Sequence, residues 1–408
     1  MSLKNSSSSN LEIKRHIVPL DWMRAKQTKR LLSALQGGIP SDEPQALFVG
    51  GCVRDALLGD AAADIDLASP LLPEMVIEIL EKENIKVIPT GLQHGTVTAL
   101  IDGMSYEVTT LRHDVETDGR HAVVDFTESW IEDARRRDFT MNTLLLDALG
   151  NVYDPLGQGL EDLDARTVRF VGDPTQRIEE DYLRILRFFR FSALYGDDFD
   201  EKGLLACKKA SKNINTLSKE RITQEFFKIL ASDKPWHVLD VMFQHNILSD
   251  FKFEDYDAHF FEHFSTFQAR YGIIAISSRL YVMAALNMNN VRCMEKFILF
   301  PKVFLKDMNA MRGALSLPDL SCDHAVKVSV YSFGRSITAQ ALMVELAQDR
   351  VMNGYAPKAL EIIQNWEVVD FPVTGNDLME EGIPEGPELG RELKRREKEW
   401  IDNGFSGV

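Results

Sequence analysis

The sequence predicts an α+β head followed by an all-helical body. Three observations carry this expectation. Short apolar runs and alternating segments, punctuated by glycine, crowd the first 165 residues. Asp102-Gly103 joins two of these segments as a strong hairpin step. After about Arg166 the strand signals fade and apolar positions recur at helical spacing.

The elements follow in chain order. "MSLKNSSSSN" is polar and lacks the apolar stretch of a signal peptide, so residues 1–18 are expected as a disordered tail. Residues 19–165 form the head. "ALFVG" (Ala46 to Gly50) is a strand stopped by glycines, and "CVRDALLG" a helix ended by Gly59. "DIDLAS" alternates acid and apolar, a strand with Asp64 and Asp66 on one face. "PEMVIEILEKEN" is an amphipathic helix with proline in its first turn. "GTVTALIDG" and "SYEVTTLR" are the hairpin strands of a small, largely antiparallel sheet. Residues 166–232 read as a helical neck. In it Ile178, Tyr182, Ile185 and Phe189 predict one stripe on a single helix from Arg177 to Gly196, and Ile222, Phe226 and Ile229 a second core face. Residues 233–408 read as a helical body and tail without a 20–50-residue repeat.

Composition narrows the function. The net charge of -16 argues against indiscriminate coating of nucleic acid. Arg166 to Leu230, however, holds 13 Lys+Arg against 10 Asp+Glu, a locally basic stretch suited to a polyanion. No apolar run approaches the ~20 residues that span a bilayer. The four scattered cysteines form neither a zinc pattern nor a disulfide framework, which fits a reducing cytoplasm.

Period-2 acids place Asp64 and Asp66 about 6–7 Å apart along one strand face. Two such charges repel unless a cation lies between them, and hard oxygen donors suit Mg²⁺, which keeps waters and substrate phosphates as its other ligands. Glu107 on a neighbouring strand is the candidate third acid. The bland alternative is a solvated strand face. Gly50 and Gly51, between strand and helix, let backbone approach a polyphosphate at a helix N-terminus, and Arg54 one turn on can reach the same anion. The lysine-bearing loop of P-loop proteins is missing.

Two further clusters stand out. In "RRRDFTMNTL" (Arg135 to Leu144), three arginines precede Asp138: the arginine fork suits phosphate, and the acid beside it could accept a ribose hydroxyl. In "EEDYLRILRFFR", Asp181 and Arg184 are spaced to share a helix face, and Arg187 and Arg190 continue the spacing. A carboxylate that accepts beside a guanidinium that donates can match the Watson–Crick edge of a base. The alternative for each cluster is a solvated, salt-bridged face. "ESWIEDARRRD" before residue 138 is read as such a face.

Taken in order, "LFVGGCVRDALLG…DIDLAS", "EVTTLR", "DGRHAVVDF", "RRRDFTMNTL", "YDPLGQGLEDL", "EEDYLRILRFFRF" and "SKERITQEF" resemble class II tRNA nucleotidyltransferases, the CCA-adding enzymes, whose superfamily includes bacterial poly(A) polymerase. The resemblance covers roughly Leu47 to Leu230, and "VTGNDLMEEGIPEGPELG" (Val373 to Gly390) adds a weaker tail match. It implies template-free addition of C, C and A to a tRNA 3′ end from CTP and ATP, pyrophosphate leaving, with two Mg²⁺ ions at the reacting oxygens. It implies metal-binding roles for Asp64 and Asp66, with Glu107 as the third catalytic carboxylate. Gly50, Gly51 and Arg54 fall at the triphosphate, Arg137 and Asp138 at the sugar-phosphate, and Asp181 and Arg184 at the base, with Arg187 and Arg190 lining the pocket. Arg112 to Val124 matches a flexible element that switches CTP for ATP, with Asp118-Gly119 as hinge and Asp114, Arg120 and His121 organising it; His94 is expected to be structural. No membrane and no obligate protein partner is implied. The rivals are a poly(A) polymerase, an A-adding or CC-adding tRNA enzyme and, in another class, a non-catalytic RNA-binding protein on the same fold.

Overall fold

Apolar triplets and alternating runs build one sheet in the first half of the chain. The computed structural model describes residues 11–38, 41, 43–62, 64–117, 122–249 and 255–406. The chain begins with β1 (Ile13–His16), α1 (Asp21–Arg24), α2 (Lys26–Gly37), β2 (Leu47–Val49) and α3 (Gly51–Leu58). Then come β3 (Ile65–Ser69), α4 (Pro73–Lys82), β4 (Lys86–Gly91), β5 (Thr96–Ile101) and β6 (Met104–Thr110). β7 (Arg112–Thr117), β8 (Ala122–Phe126), α5 (Trp130–Arg135), β9 (Leu145–Leu146), β10 (Asn151–Tyr153) and α6 (Gly159–Asp164) follow. Eight strands form the sheet in the order β1-β10-β9-β2-β3-β6-β5-β4. Every neighbour is antiparallel except β3 and β6, which run parallel with Asp66 opposite Glu107.

Local chemistry explains the joints. Asp102 (φ 48°) and Gly103 (φ 85°) both take the left-handed conformation that a two-residue hairpin between β5 and β6 requires. Gly59 ends α3 at φ 83°. α4 packs on β4 and β5, α3 on β2 and β3. Phe48, Leu67, Val97, Ala99, Tyr106 and Val108 are buried in the sheet core.

Three expectations change here. Residues 13–16, expected within the tail of residues 1–18, form edge strand β1: Ile13 pairs with Tyr153 and His16 with Asn151, while Arg15 bridges to Asp164. The partner strand lies some 140 residues on, so local composition could not reveal it. Of the element from Arg112 to Val124, expected to be flexible, the described residues fall in β7 and β8, which pair as an antiparallel ribbon apart from the main sheet. Asp118, Gly119, Arg120 and His121 lie outside the described residues, as does the Asp114 side chain.

The third change is in the helical stretch. After β11 (Thr167–Val168), α7 (Pro174–Glu180) stops at Asp181, and α8 (Leu183–Tyr195) starts anew. Asp181 is extended (φ -158°, ψ 107°), and its Oδ1 accepts from Leu183 N at 3.1 Å. A carboxylate bonding its own backbone two residues on offers an alternative to the helix, without proline or glycine to announce it. Ile178, Ile185 and Phe189 are buried as expected, but on two helices.

β12 (Asp198–Phe199), α9 (Glu201–Ala210) and the first turn of α10 (Lys219–Ala231) complete a compact unit of Met1–Arg221 with His245–Ile247. Phe139, Phe170 and Phe188 explain why no boundary falls at residue 165: the Phe139 and Phe170 rings lie 5.0 Å apart and Phe170 stacks on Phe188 at 5.4 Å, sewing the helices to the head. A Head/neck division at 165 would cut this buried cluster.

The second unit is Ile222–Gln244 with Leu248–Val408, so it starts within α10 rather than at residue 233. It contains α11 (Pro235–Gln244), α12 (Ala258–Tyr271), α13 (Ile276–Met283), α14 (Met288–Met294) and α15 (Lys302–Ala314). α16 (Asp323–Ala347), kinked at Gly334, α17 (Ala356–Asn365), α18 (Gly375–Glu380) and α19 (Pro387–Asp402) finish it. Trp400 packs between Tyr331, Phe371 and Phe405 and anchors the last helix. Arg279 is fully buried: Nη1 donates to the carbonyls of Leu230 and Ser232, and Nε to Gln268 Oε1 at 2.7 Å. Burial pulls its pKa down to about 10, which leaves it charged at neutral pH. Arg279→Met should therefore lower the stability of this unit by about 2–4 kcal/mol, because two carbonyls and an amide lose their donor. Urea unfolding followed by circular dichroism checks it.

Candidate active site

Gly50 leaves β2 with φ 74°, a conformation that penalises side chains. A Cβ placed there would sit 3.9 Å from Asp66 Oδ2, so the glycine turn runs directly beside the acid. Behind it α3 presents its N-terminus. Asp66 lies on β3 and Glu107 opposite it on β6, while Asp64 immediately precedes β3. The Asp66 carboxyl is pushed up to about 6, first by burial, then by the charges of Glu107 and Asp64, with Arg137 opposing them. Crowded, mutually repelling hard-oxygen donors fit a divalent cation. Among the described residues no three ligating side chains close a cage by themselves.

Next to this turn lies a cavity of about 540 Å³, lined by Gly50, Gly51, Arg54, Asn142 and Phe191, by Asp138 and Asp181, and by six more arginines from Arg136 to Arg221. Arg137, Arg184, Arg187 and Arg190 are among these, so the sequence-predicted cluster residues converge on one space. Asp64, Asp66 and Glu107 are not in its lining; Gly50 is the link between the acids and the cavity.

The partners refine several roles. Arg54 is buried; Nη1 donates to Asn142 Oδ1 at 2.9 Å, Nη2 to Tyr195 Oη at 2.7 Å and to Asp55 Oδ1 at 3.1 Å, and the guanidinium lies 4.0 Å from the Tyr195 ring centre. It is built into the cavity wall instead of reaching freely for an anion. Asp138 is buried, and its four acceptor positions are filled by Phe139 N, Asn142 Nδ2 and two donors of Arg187. Burial opposes its ionisation, but Arg187, Asn142 and the Phe139 amide outweigh it and hold the pKa below the ordinary value. Asp138 thus holds Arg187 in this arrangement, where the sequence suggested a free acceptor for ribose.

Asp181 and Arg184 both line the cavity, but not as neighbours on one helix face. Asp181 Oδ2 accepts from Arg221 at 2.7 Å; Arg184 donates to Glu180 and to the Arg177 carbonyl at 2.8 Å. The stretch read as a solvated face contains a correction. Asp133 is 3% exposed and receives Arg136 Nε at 2.8 Å and Arg137 Nη2 at 2.8 Å. Burial works against its charge, yet the guanidiniums of Arg137 and Arg136 keep its pKa below the ordinary value. Spacing alone could have flagged it: Asp133 stands three and four residues before two arginines. Asn142, Phe191, Tyr195 and Arg221 carried no sequence signal of their own. His94 is exposed and contributes its carbonyl to Arg112, a structural contact.

Comparison with known proteins finds relatives over most of the chain. Residues 46–169 match the family described as poly A polymerase head domain, and residues 198–253 the one described as probable RNA and SrmB-binding site of polymerase A. The mitochondrial CCA tRNA nucleotidyltransferase 1 of Mus musculus is 31% identical, covering 96% of this chain and 95% of its own. The CCA-adding enzyme of Leuconostoc citreum is 32% identical over 89% of each chain. Among solved structures, the Bacillus stearothermophilus CCA-adding enzyme in complex with CTP superposes with a TM-score of 0.74 at 25% identity, covering 93% of this chain and 94% of that one.

Proposed function

The chain belongs to the CCA-adding tRNA nucleotidyltransferase family, and from that premise we propose how its own residues do the work. The reaction adds C, C and A to a tRNA 3′ end from CTP and ATP, the 3′-OH attacking the α-phosphate and pyrophosphate leaving. The observation that carries the assignment is the juxtaposition of Asp66 and Glu107 with the Gly50 turn, which itself lines an arginine-rich cavity.

The family uses divalent metal; here we assign Mg²⁺, held by Asp64 and Asp66 with Glu107 as the third carboxylate. When bound, the metal lowers the pKa of the attacking hydroxyl and offsets charge on the leaving phosphate oxygens. The Gly50-Gly51 amides at the α3 N-terminus take phosphate oxygens. Arg137 and Arg187, oriented by Asp133 and Asp138, neutralise the sugar-phosphate, and Arg190 extends this positive wall. Asp181 accepts from and Arg184 donates to the base edge, in place of a template. Asp181 exchanges its Arg221 partner for the base, so Arg221 competes with the nucleotide for it. The helical body and tail, residues 233–408, are assigned to tRNA, and the four unpaired cysteines fit a reducing compartment such as the cytoplasm. No helix among the described residues is long and apolar enough to cross a membrane.

One assay separates the rivals: purified protein, Mg²⁺, tRNA ending at its discriminator base, and CTP or ATP separately and together. Products ending in CCA with both nucleotides are expected. A long A tail from ATP alone would instead mark a poly(A) polymerase, and a stop after CC a partial enzyme. In the same assay Arg184→Ala should reduce discrimination between CTP and ATP by about tenfold, one lost charged hydrogen bond. Unchanged selectivity would remove base reading from Arg184.

A further inference from the structure

Asn142 lies at the end of a short turn, Thr140–Asn142, and is 7% exposed. Its amide faces opposite partners at its two ends. Oδ1 accepts from Arg54 Nη1 and Nδ2 donates to Asp138 Oδ1, both at 2.9 Å. A guanidinium can only donate and an ionised carboxylate can only accept, so one amide orientation alone satisfies both. The other Asp138 oxygen takes Arg187 Nε at 2.7 Å. At the far edge of Arg54, Tyr195 Oη accepts at 2.7 Å and itself reaches Asp55 Oδ1 at 3.4 Å. Donors and acceptors therefore run without a break from Tyr195 through Arg54, Asn142 and Asp138 to Arg187. The Phe191 ring faces both guanidiniums, 5.2 Å from that of Arg54 and 5.4 Å from that of Arg187.

No other side chain of this size serves both ends. Leucine leaves Arg54 and Asp138 each short of a partner in a buried place. Aspartate sets a second carboxylate against Asp138. The base-reading pair is held separately, Asp181 by Arg221 and Arg184 by Glu180.

We propose that Asn142 is a positioning residue: through Asp138 it ties Arg187 to Arg54 in the cavity wall, which Tyr195 holds from the other edge, and so it sets the grip of Arg187 on the sugar-phosphate part of either nucleotide. This rests on the reading of the cavity as the nucleotide pocket. Because the network touches no base-reading group, its loss weakens CTP and ATP alike.

The test is steady-state CMP and AMP incorporation by the full-length protein, comparing Asn142→Leu, Tyr195→Phe and Arg187→Ala with the parent. Asn142→Leu should raise KM for both nucleotides about tenfold and Tyr195→Phe about threefold, with kcat changed less than about threefold and the CTP/ATP ratio kept. A purely structural role would lower the active fraction, hence kcat, at constant KM, and that result overturns the proposal. If Arg187→Ala raises KM while Asn142→Leu does not, the pocket stands and the role of Asn142 falls. If neither moves KM, the pocket reading falls and takes the proposal with it. Should Asn142→Leu fail to fold, Tyr195→Phe, which keeps the ring on Arg54, decides alone: an unchanged KM overturns the network.

Discussion

Asp66→Asn should abolish incorporation of both nucleotides, a loss of about a thousandfold or more in kcat, while leaving tRNA binding largely intact. The amide fills the same space but brings no charge to a divalent cation. The same change should make the metal-free protein more stable. The Asp66 pKa is raised to about 6, by burial first and then by Glu107 and Asp64. An acid whose folded pKa exceeds its unfolded one costs stability wherever it is ionised: nothing below its ordinary value, the full amount above about pH 6. Removing the charge should return roughly 1 kcal/mol, after allowance for solvent screening. Thermal unfolding in chelator at pH 7.5 reads the gain, and radiolabelled nucleotide incorporation reads the loss. Retained CMP addition would remove the metal role. Lost activity with lost stability would make Asp66 a structural acid.

Asp133→Ala should cost about 3 kcal/mol of stability and raise nucleotide KM at least about tenfold. Its carboxylate is buried between two arginines, and its removal leaves Arg136 and Arg137 with uncompensated charge. The acid limb of stability carries the same signature. With the Asp133 pKa below its ordinary value, the stabilisation is fully present above that value and is lost as pH falls through the depressed one. Asp133→Asn should flatten this loss below about pH 4. A variant with parental stability and KM would return Asp133 to the solvated surface.

Much of the site was legible because its signals are local. A strand of alternating acids, glycines between strand and helix, and arginines in short runs each occupy fewer than a dozen residues. Periodicity and backbone freedom mark Asp64, Asp66, Gly50 and Gly51 as candidates, and the ordered motifs that follow them give those candidates a role through the family resemblance. Asp133 was misread because a charge run looks the same whether it faces water or a cavity; burial is set by what packs on it. The break at Asp181 escaped for a related reason. The residues from Arg177 to Gly196 keep helical periodicity, and one side-chain-to-backbone bond at Asp181 outweighs it.

Local patterns single out the candidate acids, the glycine turn and the arginine clusters, and they predict an α+β head before a helical body. The partner of each of these side chains is set by the fold. β3 and β6 pair in parallel, and that puts Glu107 opposite Asp66 across 41 residues of chain. Arg54 meets Asn142 across 88 residues, and Arg187 meets Asp138 across 49. Donors and acceptors distant in sequence carry no mutual pattern in the chain; their pairing is fixed when burial strips away water and each must find a partner.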